Sequence, residues 1–277
     1  MTRVEYMYII YMKRLLYINW YDEDSILHEM HYKCLRKYNS LFDEVFIVIN
    51  TRNRHDTNRI HNIKNSFDVI FNNRVSFKVE QIYDDQENIM FETYFLPLID
   101  KYPNDYSIIY FINDETFNMK DALQKDYCSL NFKLWTAANY YFNFENINEH
   151  MDALLNKEYA ITGGIHYKIK MNYGDYSVNE FFPGCFYGIN VVNLLKLYNE
   201  KNITDRYKTF INPELHFFTF MPEDKIHSDS KIHTFTIDSE YIPVEYRLFN
   251  ECENFLKFNL TSNEYQDILN IVNNDKC

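Results

Sequence analysis

The chain has 277 residues, 46% of them hydrophobic and 18% aromatic, which is enough apolar material for one large α/β domain or two small ones. Its formal net charge of −12 disfavours nucleic acid as a partner, because a duplex-binding protein needs a basic face. Five scattered cysteines form neither a disulfide framework nor a CxxC metal motif, so a reducing compartment is expected.

The N-terminal stretch YMYIIYMKRLLYI, residues 6–18, is apolar but is interrupted by Lys13 and Arg14. It is too short and too charged for a transmembrane segment, and it lacks the small-residue cleavage site of a signal peptide. No other stretch of the sequence reads as a transmembrane helix. We therefore expect a soluble, cytoplasmic protein.

The first half of the sequence alternates between strand and helix patterns. Strand patterns cover residues 6–11, 15–19, 44–50, 74–82 and 106–112, and helix patterns cover 25–38 and 91–102. The apolar, β-branched run EVFIVIN is typical of a parallel strand covered on both faces. Pro97 is expected to kink the second helix or to mark its first turn. The order strand, helix, strand, strand, helix, strand predicts an α/β fold with a mainly parallel sheet.

The second half of the sequence is more mixed. Helix patterns cover residues 134–144, 146–156 and 189–200, and glycines cluster at Gly163-Gly164 and in FFPGCFYG, residues 181–188. Glycines clustered in this way predict tight turns. The chain becomes polar beyond Pro222 and ends in short strand-like and helical pieces. We expect one domain over residues 1–221, with a C-terminal extension, 222–277, packed on it.

Polar residues follow three of the predicted strands. The candidates are Asn50 and Arg52 at the end of the strand at 44–50, Asp84 and Asp85 after the strand at 74–82, and Asn113, Asp114 and Glu115 after the strand at 106–112. Ligands of parallel α/β sheets bind outside the carboxyl ends of the strands, which makes these residues a candidate ligand site. Neither GxGxxG nor GxxxxGK[ST] occurs, so the two commonest nucleotide-binding loops are absent from the sequence.

Several short motifs resemble those of a known enzyme family. They are Trp135, Asn139, Tyr141 and Phe142 in the central segment, Gly184-Cys185-Phe186-Tyr187-Gly188 after a loop, Glu214 in NPELHFF, Glu92 in FETYFLPL, and Trp20 ahead of a helix pattern. Over roughly residues 6–220 the chain resembles GT-A-type glycosyltransferases, and more narrowly the small sugar transferases of polysaccharide gene clusters and large viruses. The family commonly ends its central strand with His-x-Lys-Gly, where this chain has Asn113-Asp114-Glu115. Cys185 stands where the family has Asn.

The resemblance implies a GT-A-like domain over residues 1–221 and a hexosyltransferase-like enzyme. Such an enzyme moves a sugar from a nucleoside diphosphate sugar to a glycan or another hydroxyl acceptor. If the protein is viral, the host cytoplasm is its expected location. GT-A enzymes generally hold a divalent cation on an acidic pair after a central strand, which implies Mn²⁺ or Mg²⁺ on Asp114 and Glu115. The cation would stabilise the leaving diphosphate. The alternative for both residues is a solvated turn.

Further residues have a functional and a structural interpretation. Arg52 could bind phosphate in bidentate fashion, or lie in a surface loop. Asp84 and Asp85 could contact a base or ribose, or cap a helix. Trp135, like Trp20 and Tyr187, could stack on a base or sugar, although most aromatic residues of such a chain are core. The catalytic candidates are Asp175 and Glu180, either of which could deprotonate an acceptor hydroxyl or belong to a charged loop, and Glu214, which the resemblance adds.

Two other function classes remain open from the sequence. The degenerate motifs favour a catalytically inactive GT-A-like module that binds glycans or takes part in an assembly. A nucleotidyltransferase also uses acidic pairs at strand ends, but it usually has a Gly-rich basic loop at its N-terminus. Residues 1–25 contain no such loop.

Overall fold

The structure is a computed structural model, and it describes residues 13–21, 32, 35–51, 55–81, 91–101, 106–113, 147–156, 159–163, 167–173, 176–181, 186–205, 208, 216–228, 235–236 and 261–273. The strands in these ranges are β1 Lys13–Tyr21, β2 Glu44–Thr51, β3 Val75–Gln81, β4 Tyr106–Asn113, β5 Ile161–Gly163, β6 Tyr167–Tyr173, β7 Tyr176–Phe181, β8 Phe186–Asn190, β9 Ile226–Ser228 and β10 Phe235–Thr236. The α-helices are α1 Thr57–Phe71, α2 Leu96–Lys101, α3 Ile147–Asn156, α4 Val191–Glu200 and α5 Ser262–Asn273.

Seven strands form the main sheet, in the order β3-β2-β1-β4-β8-β5-β9. The four strands from β3 to β4 are mutually parallel, β8 runs antiparallel to both β4 and β5, and β9 pairs parallel with β5. A second sheet has the order β10-β6-β7. The main sheet confirms the predicted α/β fold with a mainly parallel sheet flanked by helices.

Aromatic side chains fill the core on both faces of the main sheet. On one face Tyr17 contacts Phe95, with ring centroids 5.1 Å apart, and Phe95 packs on Phe217 at 6.4 Å. On the other face Trp20 contacts Phe67 of α1 at 5.0 Å. Because side chains alternate along a strand, odd-numbered residues of β1 share the first face and even-numbered residues share the second.

The predicted strands at 15–19, 44–50, 74–82 and 106–112 are confirmed as β1 to β4, and the helices at 146–156 and 189–200 as α3 and α4. The predicted strand at 6–11 and helix at 134–144 lie outside the described residues. Of the predicted helix at 25–38, the structure describes residue 32 and residues 35–38, which are helical.

The sequence pattern predicted no helix between β2 and β3, and this prediction is wrong. Helix α1 lies between them and buries Ile60, Phe67, Ile70 and Phe71, which recur at helical spacing. Two parallel strands require such a crossover, because a tight turn can join only antiparallel strands. The helix begins at the Asp56 cap, whose carboxylate accepts the Arg59 backbone N–H, and it ends at Asn72 in the left-handed conformation.

The predicted helix at 91–102 begins with a π-helical turn, Phe91–Phe95, and continues as α2. Pro97 is the second residue of α2 and the seventh of the continuous helical segment 91–101. Pro97 therefore does not mark the first turn of the predicted helix, and it lies directly after the change from π-helical to α-helical geometry. Phe91 and Phe95 of the π turn are fully buried against the main sheet.

Gly188 lies inside β8, so the turn expected at this glycine is wrong. It stands opposite Tyr110 of β4. A Cβ atom at residue 188 would lie 2.6 Å from Cζ and 2.8 Å from Cε1 of the fully buried Tyr110 ring. Glycine is needed here because the ring occupies the space of a side chain.

We therefore expect Gly188→Ala to lower the free energy of unfolding by about 1–3 kcal/mol through overpacking. Urea denaturation of the purified variant would measure the loss. In a Tyr110→Leu background the same change should cost less, because the clashing ring is gone. Equal costs in the two backgrounds would show that the ring is not the cause.

Arg74 lies in the chain between α1 and β3, and its guanidinium donates hydrogen bonds to three backbone carbonyls. Its Nε donates to Phe71 O at 3.0 Å, its Nη2 donates to Asn39 O at 3.0 Å, and its Nη1 donates to Phe42 O. The Phe71 carbonyl is at the C-terminus of α1, where a cation also offsets the negative end of the helix dipole.

Arg74→Ala should lower the free energy of unfolding by about 2–4 kcal/mol, because three carbonyls lose a charged donor. Arg74→Lys should restore less than half of that loss, since an ammonium group cannot reproduce the planar fork. Denaturant unfolding of both variants checks this. An Arg74→Ala protein as stable as the wild type would contradict it.

Candidate ligand site at the carboxyl edge of the parallel strands

The strand order changes direction between β1 and β4. From β1 the chain adds β2 and β3 on one side and β4 on the other, so β1 and β4 lie next to each other. Ligands of open α/β sheets bind in the crevice outside the carboxyl ends of the strands at such a switch point. In this protein the candidate site is therefore at the ends of β1, β2 and β4, near Tyr21, Thr51 and Asn113.

Polar side chains replace apolar ones where these strands end. Asn19 of β1 is in register with Asn113 of β4, and Asn50 of β2 is in register with Glu80 of β3. Residues in register on neighbouring strands share a face and side chains alternate along each strand, so Asn19, Asn50 and Glu80 lie on the face that also carries Tyr17. The buried strands deliver a row of polar groups to one face of the carboxyl edge.

Two asparagines are joined in the buried part of this edge. Asn50 Nδ2 donates to Asn19 Oδ1 at 2.7 Å and lies 3.2 Å from the carbonyl oxygen of Trp20. Asn19 is 1% exposed and Asn50 is 0% exposed. Asn50 Oδ1 is buried and accepts no hydrogen bond from the described residues. A buried acceptor without a donor lowers the free energy of unfolding by about 1–3 kcal/mol, so the Asn50 side chain destabilises the fold at this position.

The end of β3 carries a hydrogen-bonded carboxylate. Tyr94 of the π-helical turn donates its hydroxyl to Glu80 Oε1, and Lys78 Nζ lies 3.8 Å from the same oxygen. The side chain of Glu80 is 28% exposed and that of Lys78 is 51% exposed. Desolvation of Tyr94 raises the pKa of its hydroxyl, and the hydrogen bond and negative charge of Glu80 raise it further. Tyr94 is therefore a hydrogen-bond donor at every physiological pH.

Of the residues predicted for this region, Asn50 is described, and its contact with a ligand stays a prediction. Arg52 and Asp114 each lie one peptide bond beyond a described strand end, at Thr51 and Asn113. Glu180 is in β7, in register with Lys168 of β6. Arg52 and Asp114 themselves lie outside the described residues. The same is true of the remaining predicted residues, which are Asp84, Asp85, Glu115, Trp135, Asp175 and Glu214.

Two aromatic candidates for stacking belong to the core. Trp20 is 1% exposed and packs on α1, and Tyr187 is fully buried with its ring 6.4 Å from that of Phe95. The core interpretation therefore holds for both in this structure. His216 is also buried, among Phe91, Phe217 and Phe220.

Sequence reasoning missed Asn19, Glu80 and Tyr94. Asn19 interrupts the apolar run of β1, and an amide inside a buried strand is a signal that the sequence carries. Glu80 and Tyr94 gave no such signal. Their contact depends on the position of the π-helical turn relative to β3, which no local pattern specifies.

Within the described ranges, no three His, Cys, Asp or Glu side chains are grouped so that they could hold a metal ion. In the sequence, the carboxylates of Asp114 and Glu115 directly follow Asn113, the last residue of β4. Oxygen donors of this type match the preference of Mg²⁺ and Mn²⁺. In the described part of the chain, no helix has both the length and the apolar character needed to cross a membrane.

The fold thus defines the class as an α/β protein with a mainly parallel sheet flanked by helices. No protein-family model matches the chain, and no curated protein matches it. Among solved structures it is similar to S. aureus TarS 1-349 in complex with UDP-GlcNAc, at 12% identity and a TM-score of 0.34, over 93% of this chain and 70% of that chain. The UDP complex of the same protein gives 13% identity and a TM-score of 0.35 over the same shares.

A third similar structure is core-mannan synthase A (CmsA/Ktr4) from Aspergillus fumigatus in its Mn/GDP form. It is 9% identical, with a TM-score of 0.30, over 90% of this chain and 85% of that chain. Identities and scores of this size leave the function of this chain to be argued from its own residues.

Proposed function

We propose that the protein is a glycosyltransferase that moves a sugar from a nucleoside diphosphate sugar to a glycan or another hydroxyl acceptor. The donor binds in the crevice at the carboxyl edge of the parallel strands. One observation carries the proposal: buried strands that are otherwise apolar end in polar residues on both sides of a topological switch point.

The diphosphate is proposed to lie over the switch point between β1 and β4. Asn113 is the last residue of β4, and Asp114 and Glu115 follow it directly in the sequence. We assign these two carboxylates to a Mn²⁺ or Mg²⁺ ion, which would supply charge stabilisation for the departing nucleoside diphosphate. Arg52, one residue beyond the end of β2, is proposed to bind phosphate oxygens.

The acceptor side of the reaction requires a general base. Asp175, Glu180 and Glu214 remain the proposed candidates. Glu180 is the one for which the structure describes the backbone, on β7 opposite Lys168.

Calorimetric titration with UDP-GlcNAc and with GDP, each with and without Mn²⁺, tests the donor site. We expect at least one nucleotide to bind in the micromolar to millimolar range with Mn²⁺ present, and the sugar nucleotide to be hydrolysed slowly without an acceptor. If no common nucleoside diphosphate or its sugar binds, the proposal is wrong. Thermal stabilisation by free glycans alone would favour the catalytically inactive glycan-binding module instead.

A further inference from the structure

Strand β3 is the last strand on one side of the main sheet, and among the described residues it pairs only with β2. We propose that its outer edge is an interface with a second copy of this chain. In this interface the two β3 strands pair antiparallel about a two-fold axis at Val79 and join the two main sheets into one. The interface is separate from the proposed ligand site, so its test does not depend on the proposed function.

The outer edge of β3 presents backbone hydrogen-bonding groups at every second residue. The Val45 N–H of β2 donates to Arg74 O at 3.1 Å, so the backbone groups of even-numbered residues in this part of the chain point toward β2. The backbone groups of the odd-numbered residues point outward, and these residues are Val75, Phe77, Val79 and Gln81. From the described part of the chain, no backbone hydrogen bond reaches these outward groups, so they can pair with another strand.

Charged side chains select the register of this pairing. Lys78 and Glu80 lie on the face of the sheet that carries Tyr17, and the Lys78 side chain is 51% exposed. A lysine on an edge strand ordinarily opposes the approach of a second strand. With the two-fold axis at residue 78, two lysines would face each other at about 4.5 Å between Cα atoms and would repel. With the axis at Val79, each Lys78 faces Glu80 of the second copy.

A register with the two-fold axis at residue 77 is less favourable. In that register Lys78 would face Ser76, which carries no charge. Glu80 would face Arg74, whose guanidinium already donates to three backbone carbonyls of its own chain. The register centred on Val79 places each charged residue of β3 opposite a residue of the other sign, so we assign the interface to that register.

The carboxylate of Glu80 is already oriented for such a contact. Tyr94 donates its hydroxyl to Glu80 Oε1, and Lys78 Nζ of the same chain lies 3.8 Å from that oxygen. Both groups approach the same oxygen, and within the described ranges no hydrogen bond or ion pair reaches Oε2. Lys78 of the second copy can therefore bind Oε2 without displacing the Tyr94 hydroxyl.

The opposite face of the paired strands is apolar. Phe77 contacts Phe67 of α1 with ring centroids 6.5 Å apart, so the odd-numbered residues of β3 share the face that carries α1. On that face Val79 meets Val79 of the second copy, and β-branched side chains pack well on a pleated surface. Because Val79 is already partly buried against the core, the apolar area added by pairing is small. We therefore expect a weak dimer, with a dissociation constant of roughly 1–100 µM.

Pairing at this edge keeps the two candidate ligand sites apart. A two-fold axis between antiparallel strands is perpendicular to the sheet, so the carboxyl edges of the two main sheets point in opposite directions. Strand β3 is also separated from β1 by β2, so the interface lies roughly 10 Å from the switch point between β1 and β4. The dimer therefore holds two separate sites, each open on its own side.

Sedimentation equilibrium of the full chain between about 5 µM and 0.5 mM measures this association. Lys78→Glu and Glu80→Lys each place like charges opposite each other in the dimer, so each should raise the dissociation constant roughly 10-fold or more. An equimolar mixture of the two variants should associate again, because two acidic side chains then face two basic ones in the heterodimer. A thermal melt of each variant checks that it is folded.

The matched controls are Lys13→Glu, Glu44→Lys and their mixture. These two side chains form an exposed ion pair at 3.3 Å at the amino ends of β1 and β2, away from the outer edge of β3. The substitutions change the net charge by the same amounts as those in β3. They should leave the dissociation constant of the dimer unchanged.

Val79→Pro tests the backbone pairing. The Val79 N–H points away from β2, so proline removes a donor that the pairing of β3 with β2 does not use. Proline is tolerated on edge strands in such positions. We expect the dimer to be lost while the thermal melt still shows a folded monomer. If the substitution unfolds the chain, the charge reversals decide the outcome by themselves.

Three results would overturn the inference while leaving the proposed function untouched. The first is a wild type that stays monomeric up to about 0.5 mM. The second is a dimer that neither charge reversal weakens, and the third is a pair of weakened variants whose mixture does not associate. Association that returns in the mixture, with unchanged controls, supports pairing about Val79.

Discussion

Asp114→Ala should lower sugar-transfer turnover roughly 100-fold or more, because in the proposed site Asp114 is a ligand of the cation that would stabilise the departing diphosphate. The net charge of −12 adds to the loss, because the overall field of the chain opposes the build-up of negative charge on the diphosphate. The midpoint of thermal unfolding should hardly move, because a carboxylate that binds an ion contributes little to packing. Steady-state turnover with Mn²⁺ and a thermal melt of the same preparation measure both quantities.

Asp267→Ala is the matched control, since Asp267 is an exposed residue of α5. It should leave turnover unchanged. Glu115→Ala and the double variant test whether both carboxylates take part. Activity that survives the double substitution and ignores a chelator would show that Asp114 and Glu115 form a solvated turn. The phosphates would then need Arg52 or a lysine instead.

Acidification from pH 7.5 to pH 5 should destabilise the fold by about 4 kcal/mol through two buried histidines. Burial lowers the pKa of His150 to about 3, with a further contribution from nearby His227, and burial lowers the pKa of His216 to about 3. Histidine in an unfolded chain has a pKa near 6.5, so below that pH the unfolded state binds more protons than the folded state. The contribution of the two neutral histidines to the free energy of unfolding is therefore fully present above about pH 6.5. It is lost as the pH falls, by about 2 kcal/mol per histidine at pH 5.

Urea denaturation at intervals between pH 7.5 and pH 5 measures this loss, in a range where most carboxylates remain ionised. His216→Phe should remove about half of the pH dependence, because the residue packs among phenylalanine rings that accept another ring. His61→Asn should leave it intact, since His61 is exposed on α1. A free energy of unfolding that is flat over this range would contradict the buried neutral state of both side chains.

The central strands could be predicted from the sequence because their burial on both faces imposes a continuous apolar run. The run EVFIVIN of β2 is continuously apolar and rich in β-branched residues, so its pattern fits a buried parallel strand better than a helix. Helix α1 was missed although Ile60, Phe67 and Ile70 have helical spacing, because asparagines and charged residues between them weaken the pattern. The parallel pairing of β2 and β3 demands a crossover, and this constraint appears only when the pairing is known.

The meeting of the polar strand ends at one edge of the sheet was also predictable, since parallel strands end together, and the binding of a ligand there stays a prediction. Its detailed chemistry was not. The Asn19–Asn50 hydrogen bond depends on the register of β1 and β2, and the Tyr94–Glu80 hydrogen bond depends on how a π-helical turn packs over β3. Register and packing are set by the whole sheet, so a local pattern cannot reveal which side chains meet.

Strand β9 determines where this protein can be shortened. It covers the outer side of β5 through the Ile161–Ile226 register, and the Ala160 N–H donates to Lys225 O at 2.8 Å just before it. A chain cut after residue 221 would leave β5 with unpaired backbone groups on that side. Bare strand edges recruit strands from other molecules, so such a fragment would tend to precipitate during expression. Truncations meant for crystallisation should therefore keep the chain through Ser228.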